Sequence, residues 1–127
     1  MKTVAGLKYS REHEWVKVEG STAYVGVTNY AQLQLGDIVY VEMPEVGVEL
    51  ARGDVICAIE SVKTAADVYS PLSGKILQAN TELDTSPEKV NEEPYEAWIL
   101  RMELSDVSEL DDLMDESEYA SFVESEG

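Results

Sequence analysis

Lys63 lies where two short strand-like segments of the sequence meet at a tight turn. Before it, the apolar residues Val55, Cys57 and Ile59 occupy alternate positions, and residues 67–70 after it are again typical of a strand. We therefore predict a β-hairpin with Lys63 at its tip, its backbone held by both strands and its amine free. Such an amine can be acylated, so the chemistry we expect here is covalent attachment of a prosthetic group.

Residues that could carry out catalysis are scarce in the rest of the chain. There is one histidine, His13, and one cysteine, Cys57. Single residues of each type argue against a catalytic triad or a typical zinc site, and the sequence has no glycine-rich phosphate loop. Because Cys57 lies in an apolar strand, we predict a buried core residue and not a reactive thiol. The sequence thus predicts a non-catalytic protein without a bound metal.

Length and charge narrow the range of partners. The chain has 127 residues and a formal net charge of −17. That length fits one domain with its own core, and the charge argues against nucleic acid or an anionic membrane as a partner. The acidity can serve solubility, guide the protein toward basic patches on partners, or both. No apolar run is long enough for a signal peptide or a membrane span, so we predict a cytoplasmic protein.

Glycine and proline divide the chain into short apolar segments, which favours strands over long helices. The four consecutive apolar residues in 37–42 predict a strand that is buried on both faces. Other strands are predicted over residues 13–19, 22–28, 74–79 and 98–104. Many short strands with tight turns predict a mainly β fold, either a sandwich or a flattened barrel of two small antiparallel sheets.

Helices are expected in three places only. Asn29 could cap a short internal helix that Gly36 ends. About one helical turn is expected in the loop over residues 81–95. A C-terminal helical segment is predicted over about 105–124, with Ser105 as its cap.

Four segments of the sequence resemble motifs of a known family. The residues around the hairpin lysine, Glu60, Ser61, Val62, Thr64 and Ala65, are similar to a lipoylation motif. Further similar segments lie at residues 9–16, 28–39 and 90–95, in the expected order and at the expected separations. The chain resembles lipoyl-attachment domains in general and, more closely, the glycine cleavage system H-protein family, from about residue 7 to residue 123.

This resemblance implies a fold, a cofactor and a set of partners. It implies one lipoyl-carrier domain over residues 1–127, with lipoate joined to Lys63 by an amide bond. A monomeric carrier of this kind would take an aminomethyl unit from a pyridoxal-phosphate glycine decarboxylase to a tetrahydrofolate-dependent aminomethyltransferase. It would then deliver reducing equivalents to dihydrolipoamide dehydrogenase, after a lipoate ligase or lipoyltransferase had modified it. The hard chemistry would belong to the cofactor and the enzymes, and not to the carrier.

The resemblance also implies a cleft that shelters the loaded arm. An acidic residue there could pair with the ammonium of the cargo, and the first candidates are Glu14 and then Asp67, with Glu12 and His13 beside Glu14. The alternative is that these are ordinary surface carboxylates and a structural histidine. Glu60 and Ser61 fit two roles that the sequence does not separate, recognition by the lipoylating enzyme and formation of the turn.

Other readings of the hairpin lysine are weaker. A biotin carrier shares the fold but usually has methionines beside the lysine, where this chain has Val62 and Thr64. Lipoyl domains of 2-oxoacid dehydrogenases lack the segment at 12–15, and a Schiff-base lysine would need a desolvated site. An unmodified interaction protein, or a relay of lipoyl groups to other enzymes, also remains open. The run at 94–98 departs from the family because it lacks a glycine before Trp98 and is one residue shorter.

Overall fold

A computed structural model describes residues 3–126, which form two antiparallel sheets with short helices around them. The fold class predicted from the sequence, a mainly β structure of two antiparallel sheets with a short internal helix and a C-terminal helix, is confirmed. The strands are Lys8–Tyr9 (β1), Glu14–Glu19 (β2), Thr22–Val27 (β3), Ile38–Val41 (β4), Glu49–Leu50 (β5), Val55–Ser61 (β6), Ala65–Tyr69 (β7), Gly74–Ala79 (β8) and Leu100–Leu104 (β9).

The two sheets differ in size. The larger has six strands in the order β1-β2-β3-β9-β8-β5, and the smaller has three in the order β4-β6-β7. Antiparallel pairing of β6 with β7 makes the hairpin that was predicted from the alternating residues, with Ile59 opposite Ala66 and Glu60 opposite Ala65. The smaller sheet therefore presents Lys63 at one end.

The prediction that residues 37–42 form a strand buried on both faces was wrong. Ile38 and Val41 are buried, whereas Val39 and Tyr40 are 54% and 44% exposed. The register between β4 and β6 shifts at this point, because one additional residue of β4 lies between the pairs that Ile38 and Tyr40 make. Such a β-bulge lets two consecutive side chains point to the same side of a sheet, so an apolar run faces solvent.

The helices are short and lie at the edges of the sheets. They are Asn29–Leu35 (α1), Glu82–Thr85 (α2), Lys89–Glu92 (α3), a 3₁₀ helix at Val107–Asp112, and Glu116–Glu126 (α4). The loop expected to contain about one helical turn therefore contains two. Within residues 3–126, no helix is long and apolar enough to cross a membrane.

Both predicted helix caps were displaced by one residue. Thr28 caps α1, because its Oγ1 accepts a hydrogen bond from the backbone N–H of Ala31 at 3.2 Å. Asp106, and not Ser105, caps the 3₁₀ helix by accepting from the N–H of Ser108 at 3.0 Å. The C-terminal helical segment is interrupted at residues 113–115, where Met114 pairs with Tyr9 as an isolated β-bridge.

Three apolar clusters hold these elements together. One lies between the small sheet and α1–α3, and a second is formed mainly by residues of β2, β3, β5, β8 and β9 in the large sheet. A third joins α4 to β1 and β2. Trp15 and Tyr119, both nearly inaccessible, anchor the third cluster. This cluster fixes the C-terminal helix against the segment just before β2, which forms one wall of the site described next.

Candidate functional site

The turn that carries Lys63 is held by backbone hydrogen bonds on both sides. The Ser61 N–H donates to the Thr64 carbonyl at 2.8 Å, and the Ser61 Oγ accepts from the N–H groups of Lys63 and Thr64 at 3.3 and 3.2 Å. The N–H of Val62 donates to the carbonyl of Asp37 at 3.0 Å, which ties the tip to the chain before β4. Ser61 thus shapes the turn, whatever else it contacts.

The Lys63 side chain is exposed and lies against the end of helix α1. A Cβ atom placed on Gly36 would be 3.3 Å from Lys63 Cε and 3.9 Å from Nζ. Gly36 has a φ of 85°, in the region that favours glycine, and it ends α1 there. Within residues 3–126, Lys63 takes part in no ion pair. The amine is therefore accessible for modification, while its stem is directed along α1.

A cleft of about 120 Å³ lies between α1, the small sheet and the segment that precedes β2. Its floor is apolar, and it includes Leu35, the residue next to Gly36. Glu12, His13, Glu14 and Asp67 are all among the residues that line it. The structure therefore brings the four predicted docking residues to one cleft, which begins close to the stem of the hairpin lysine.

Glu14 is the most unusual of these residues because it is a carboxylic acid that is only 2% exposed. Its Oε1 accepts from the Ser10 hydroxyl at 2.5 Å, and its Oε2 accepts from the N–H of Tyr69 at 3.2 Å. Burial raises the pKa of Glu14 from 4.5 to about 7, against the lowering effect of these two hydrogen bonds; Glu12 raises it slightly further. At neutral pH this carboxyl is therefore poised between its acid and its base forms.

The structure places His13 differently from the sequence prediction. Strand β2 begins at Glu14, and His13 precedes it with a φ of 70°, so the prediction that His13 belongs to the strand was wrong. Its Nδ1 lies 2.9 Å from the Tyr119 hydroxyl and its Nε2 lies 3.0 Å from Glu126 Oε1. The ring also packs against Tyr30 at 4.6 Å between centroids. His13 is thus a fixed part of the cleft wall, held by the C-terminal helix.

The other motif residues lie on the outside of the small sheet. Glu60 and Ala65 are exposed and face each other across β6 and β7. Asp67 is also exposed, opposite Ala58, and it lines the cleft as well. Val62 is 69% exposed at the tip. These side chains leave a surface of small and acidic groups around the lysine, which an enzyme that modifies Lys63 can approach.

Sequence reasoning missed three contributors to the cleft. Tyr30 and Gln34 project from α1 into its lining, and Ser10 fixes the Glu14 carboxyl from outside. The helix itself was predicted, so its apolar and polar faces held a signal for the first two. Nothing local in the sequence marks Ser10, because its contact depends on the turn at residues 10–14.

No cluster of three or more histidine, cysteine or acidic residues suited to a metal ion occurs among residues 3–126. Cys57 is 2% exposed, and burial raises the pKa of its thiol to about 12. We expect a disulfide reagent to modify Cys57 at pH 8 at least about 100-fold more slowly in the native protein than in urea, because thiolate is the reactive form. Equal rates of Cys57 modification in the native protein and in urea would contradict this burial.

Comparison with known proteins gives consistent matches over the whole chain. A family model described as "Glycine cleavage H-protein" matches residues 7–126. The chain is 56% identical over 126 residues to the glycine cleavage system H protein of Alkaliphilus oremlandii, covering 99% of each. It is 56% identical over 120 residues to that of Thermotoga maritima, covering 94% of this chain and 97% of the relative.

A solved structure agrees with the fold. The crystal structure of a glycine cleavage system H protein from Mycobacterium marinum superposes with a TM-score of 0.85 at 32% sequence identity. The match covers 94% of this chain and 97% of the crystallised one. The similarity therefore extends over both sheets and is not confined to the hairpin.

Proposed function

The chain belongs to the glycine cleavage H-protein family, and on that premise we propose that it carries lipoate in amide linkage on Lys63. Proteins of this family are lipoyl carriers within the glycine cleavage system and are not its catalytic enzymes. The attachment residue and the individual exchanges with partner enzymes are part of our proposal.

The observation that carries the proposal is the way in which Lys63 is presented. Its backbone is fixed by Ser61 and by the carbonyl of Asp37, while its amine is exposed and unpaired within residues 3–126. Its stem lies against Gly36, beside the cleft. A rigid attachment point with a free amine suits an arm that must reach several active sites. The same exposure argues against a Schiff-base role, which favours a desolvated lysine.

The proposed cycle uses the cleft as a shelter between enzymes. The lipoyl group would supply a disulfide that is reduced as one of its sulfurs takes up the aminomethyl unit, and a dithiol that later gives up a pair of electrons. The chain itself holds the arm, excludes water with the apolar floor of the cleft, and faces the cationic cargo with carboxylates. Glu14 is the principal partner for that cation, with Asp67 and Glu12 at the opening.

The partners we propose are the same as those that the family resemblance implies. They are a pyridoxal-phosphate glycine decarboxylase, a tetrahydrofolate-dependent aminomethyltransferase, dihydrolipoamide dehydrogenase and a lipoate-attaching enzyme. We propose that the protein acts as a cytoplasmic monomer over residues 1–127. Its net charge of −17 favours encounter with basic surfaces on these enzymes. Tethering keeps the cargo near the carrier, which raises its effective concentration at each active site.

Reconstitution of the cycle tests the proposal. We expect glycine-dependent NADH formation with the lipoylated protein and the other components, and loss of all activity above the carrier-free background in Lys63→Arg. This variant keeps the charge of Lys63 but removes the amine that forms the amide. Lys75→Arg is the matched control, because Lys75 is also an exposed lysine at a strand but lies on β8 in the large sheet. Full activity in Lys63→Arg, or none with the lipoylated native chain, would contradict the proposal.

A further inference from the structure

A second cavity, on the outer side of the large sheet, shares no residue with the cleft beside Lys63. It has a volume of about 240 Å³ and is lined by both aromatic and charged side chains. We call it the aromatic groove, and it consists of Trp15, Lys17, Glu19, Tyr24, Tyr95, Glu96 and Trp98. Nothing in the carrier role described above uses it.

The rings of the aromatic groove are held in fixed positions. Trp15 lies flat over β3 because its neighbour there is Gly26, where a Cβ would come within 2.5 Å of the indole. The indole Nε1 of Trp15 donates to the carbonyl of Pro94 at 2.9 Å. Tyr24 meets Trp98 edge to face, with centroids 5.1 Å apart. The groove is therefore pre-formed, and a ligand would not have to order its walls.

The short run at residues 94–98 forms one side of the groove. The N–H groups of Glu96 and Ala97 both donate to the carbonyl of Glu93, at 3.0 and 2.9 Å, so the chain turns sharply before Trp98. This turn leaves Glu96 exposed at the rim while Trp98 is half-buried. The short run at residues 94–98 thus brings a carboxylate and a ring to the same cavity.

The charge at the rim favours a cation. Glu96 and Glu19 are both exposed, and Glu19 forms an ion pair with Lys17 at 3.7 Å. An exposed pair of this kind contributes little to stability and is readily exchanged. A cation from outside could therefore replace Lys17 beside Glu19 and also approach Glu96. A cation that enters the groove could also be attracted to the face of an aromatic ring.

A guanidinium of the protein itself already packs against one ring of the aromatic groove, from the neighbouring strand β9. The Arg101 guanidinium carbon lies 6.0 Å from the centre of the Tyr24 ring. A guanidinium is planar and weakly hydrated, so it stacks on rings and pairs with a carboxylate at the same time, whereas an ammonium is strongly hydrated. The groove combines rings and carboxylates in the way that this dual contact requires.

We propose that the aromatic groove binds an arginine side chain on the surface of a protein partner. The contact lies on the large sheet, so a partner held there would leave the Lys63 turn of the small sheet uncovered. The groove and the lysine have no residue in common, so a negative result for one leaves the other unaffected.

The two tryptophans of the chain both line the groove, so their indole N–H signals report binding without a label. The probe is the peptide acetyl-Gly-Arg-Gly-amide, added to the ¹⁵N-labelled full chain at moderate salt. The matched probe replaces arginine by citrulline, which has the same shape and no charge. We expect saturable shifts of both indole signals in the millimolar range with the arginine peptide, and binding at least about threefold weaker with citrulline.

Substitutions at the rim distinguish binding in the groove from non-specific attraction of the peptide to an acidic protein. Glu19→Gln combined with Glu96→Gln is expected to bring the arginine peptide to the citrulline affinity. Glu103→Gln removes an exposed carboxylate from β9 outside the groove and is expected to change nothing. Equal affinities for the two peptides, an absence of indole shifts, or an equal loss in Glu103→Gln would each overturn the proposal.

Discussion

Glu14→Gln is expected to raise the free energy of unfolding by about 2–3 kcal/mol at pH 8 and to change it little at pH 4. The Glu14 carboxyl has its pKa raised from 4.5 to about 7 by burial. Below pH 4.5 it is protonated in both the folded and the unfolded chain, so no difference arises. Between these values the folded protein holds a proton that the unfolded chain has lost, so the stability contributed by this group falls as the pH rises. Glutamine carries no charge and avoids that loss.

Urea unfolding of the two proteins at pH 4, 6 and 8 measures this effect. The difference between the variant and the native protein is expected to be small at pH 4, larger at pH 6 and largest at pH 8. Glu12→Gln is the matched control, because Glu12 lines the same cleft but is exposed. A difference that is constant with pH, or as large in Glu12→Gln, would show that the Glu14 carboxyl is not held in a desolvated site.

The same substitution is expected to speed the loss of the aminomethyl cargo at pH 8 by about tenfold or more, because removing one partner of a buried charge pair costs about 2–5 kcal/mol. The ionised carboxylate of Glu14 is costly in the empty carrier, but it becomes favourable when an ammonium enters the cleft. Glutamine keeps the shape of the side chain and removes the charge. The variant should therefore be more stable when empty and less protective when loaded, a trade-off typical of functional sites.

The rate of formaldehyde and ammonia release from the loaded carrier, measured after removal of the decarboxylase, gives this loss directly. Glu60→Gln serves as the control, since Glu60 is an exposed carboxylate three residues before Lys63 that does not line the cleft. Equal release from the native protein and Glu14→Gln would show that Glu14 does not hold the cargo. If Glu60→Gln increased the release rate as much as Glu14→Gln, the effect would come from the overall charge of the protein and not from the cleft.

The parts of the fold that follow from local patterns were predicted from the sequence. The alternation of Val55, Cys57 and Ile59 predicted the hairpin, because side chains on a strand point to opposite faces in turn. In the structure the pattern holds for the buried Cys57 and Ile59, whereas a register shift between Val55 and Cys57 leaves Val55 48% exposed. The face of Val39 and Tyr40 could not be predicted in this way. An apolar run has the same composition with or without a bulge, and the bulge depends on how β4 meets β6.

The sequence named candidate site residues but not their physical environment. The sequence named Glu14 as the first docking residue, but its near-complete burial and its contact with Ser10 depend on long-range packing. His13 was predicted within a strand, but it has a φ of 70° and lies just before β2. Its ring contacts the hydroxyl of Tyr119. Tyr119 lies 106 residues away in the chain, and no local pattern connects the two.

The most direct test of lipoyl attachment at Lys63 is the intact mass of the protein after co-expression with a lipoate ligase and lipoate, followed by peptide mapping. We expect one lipoyl-sized increment, located on Lys63, that is absent in Lys63→Arg and present in Lys75→Arg. An unmodified native chain in the presence of active ligase, or an increment on another lysine, would contradict the assignment of Lys63 as the attachment point.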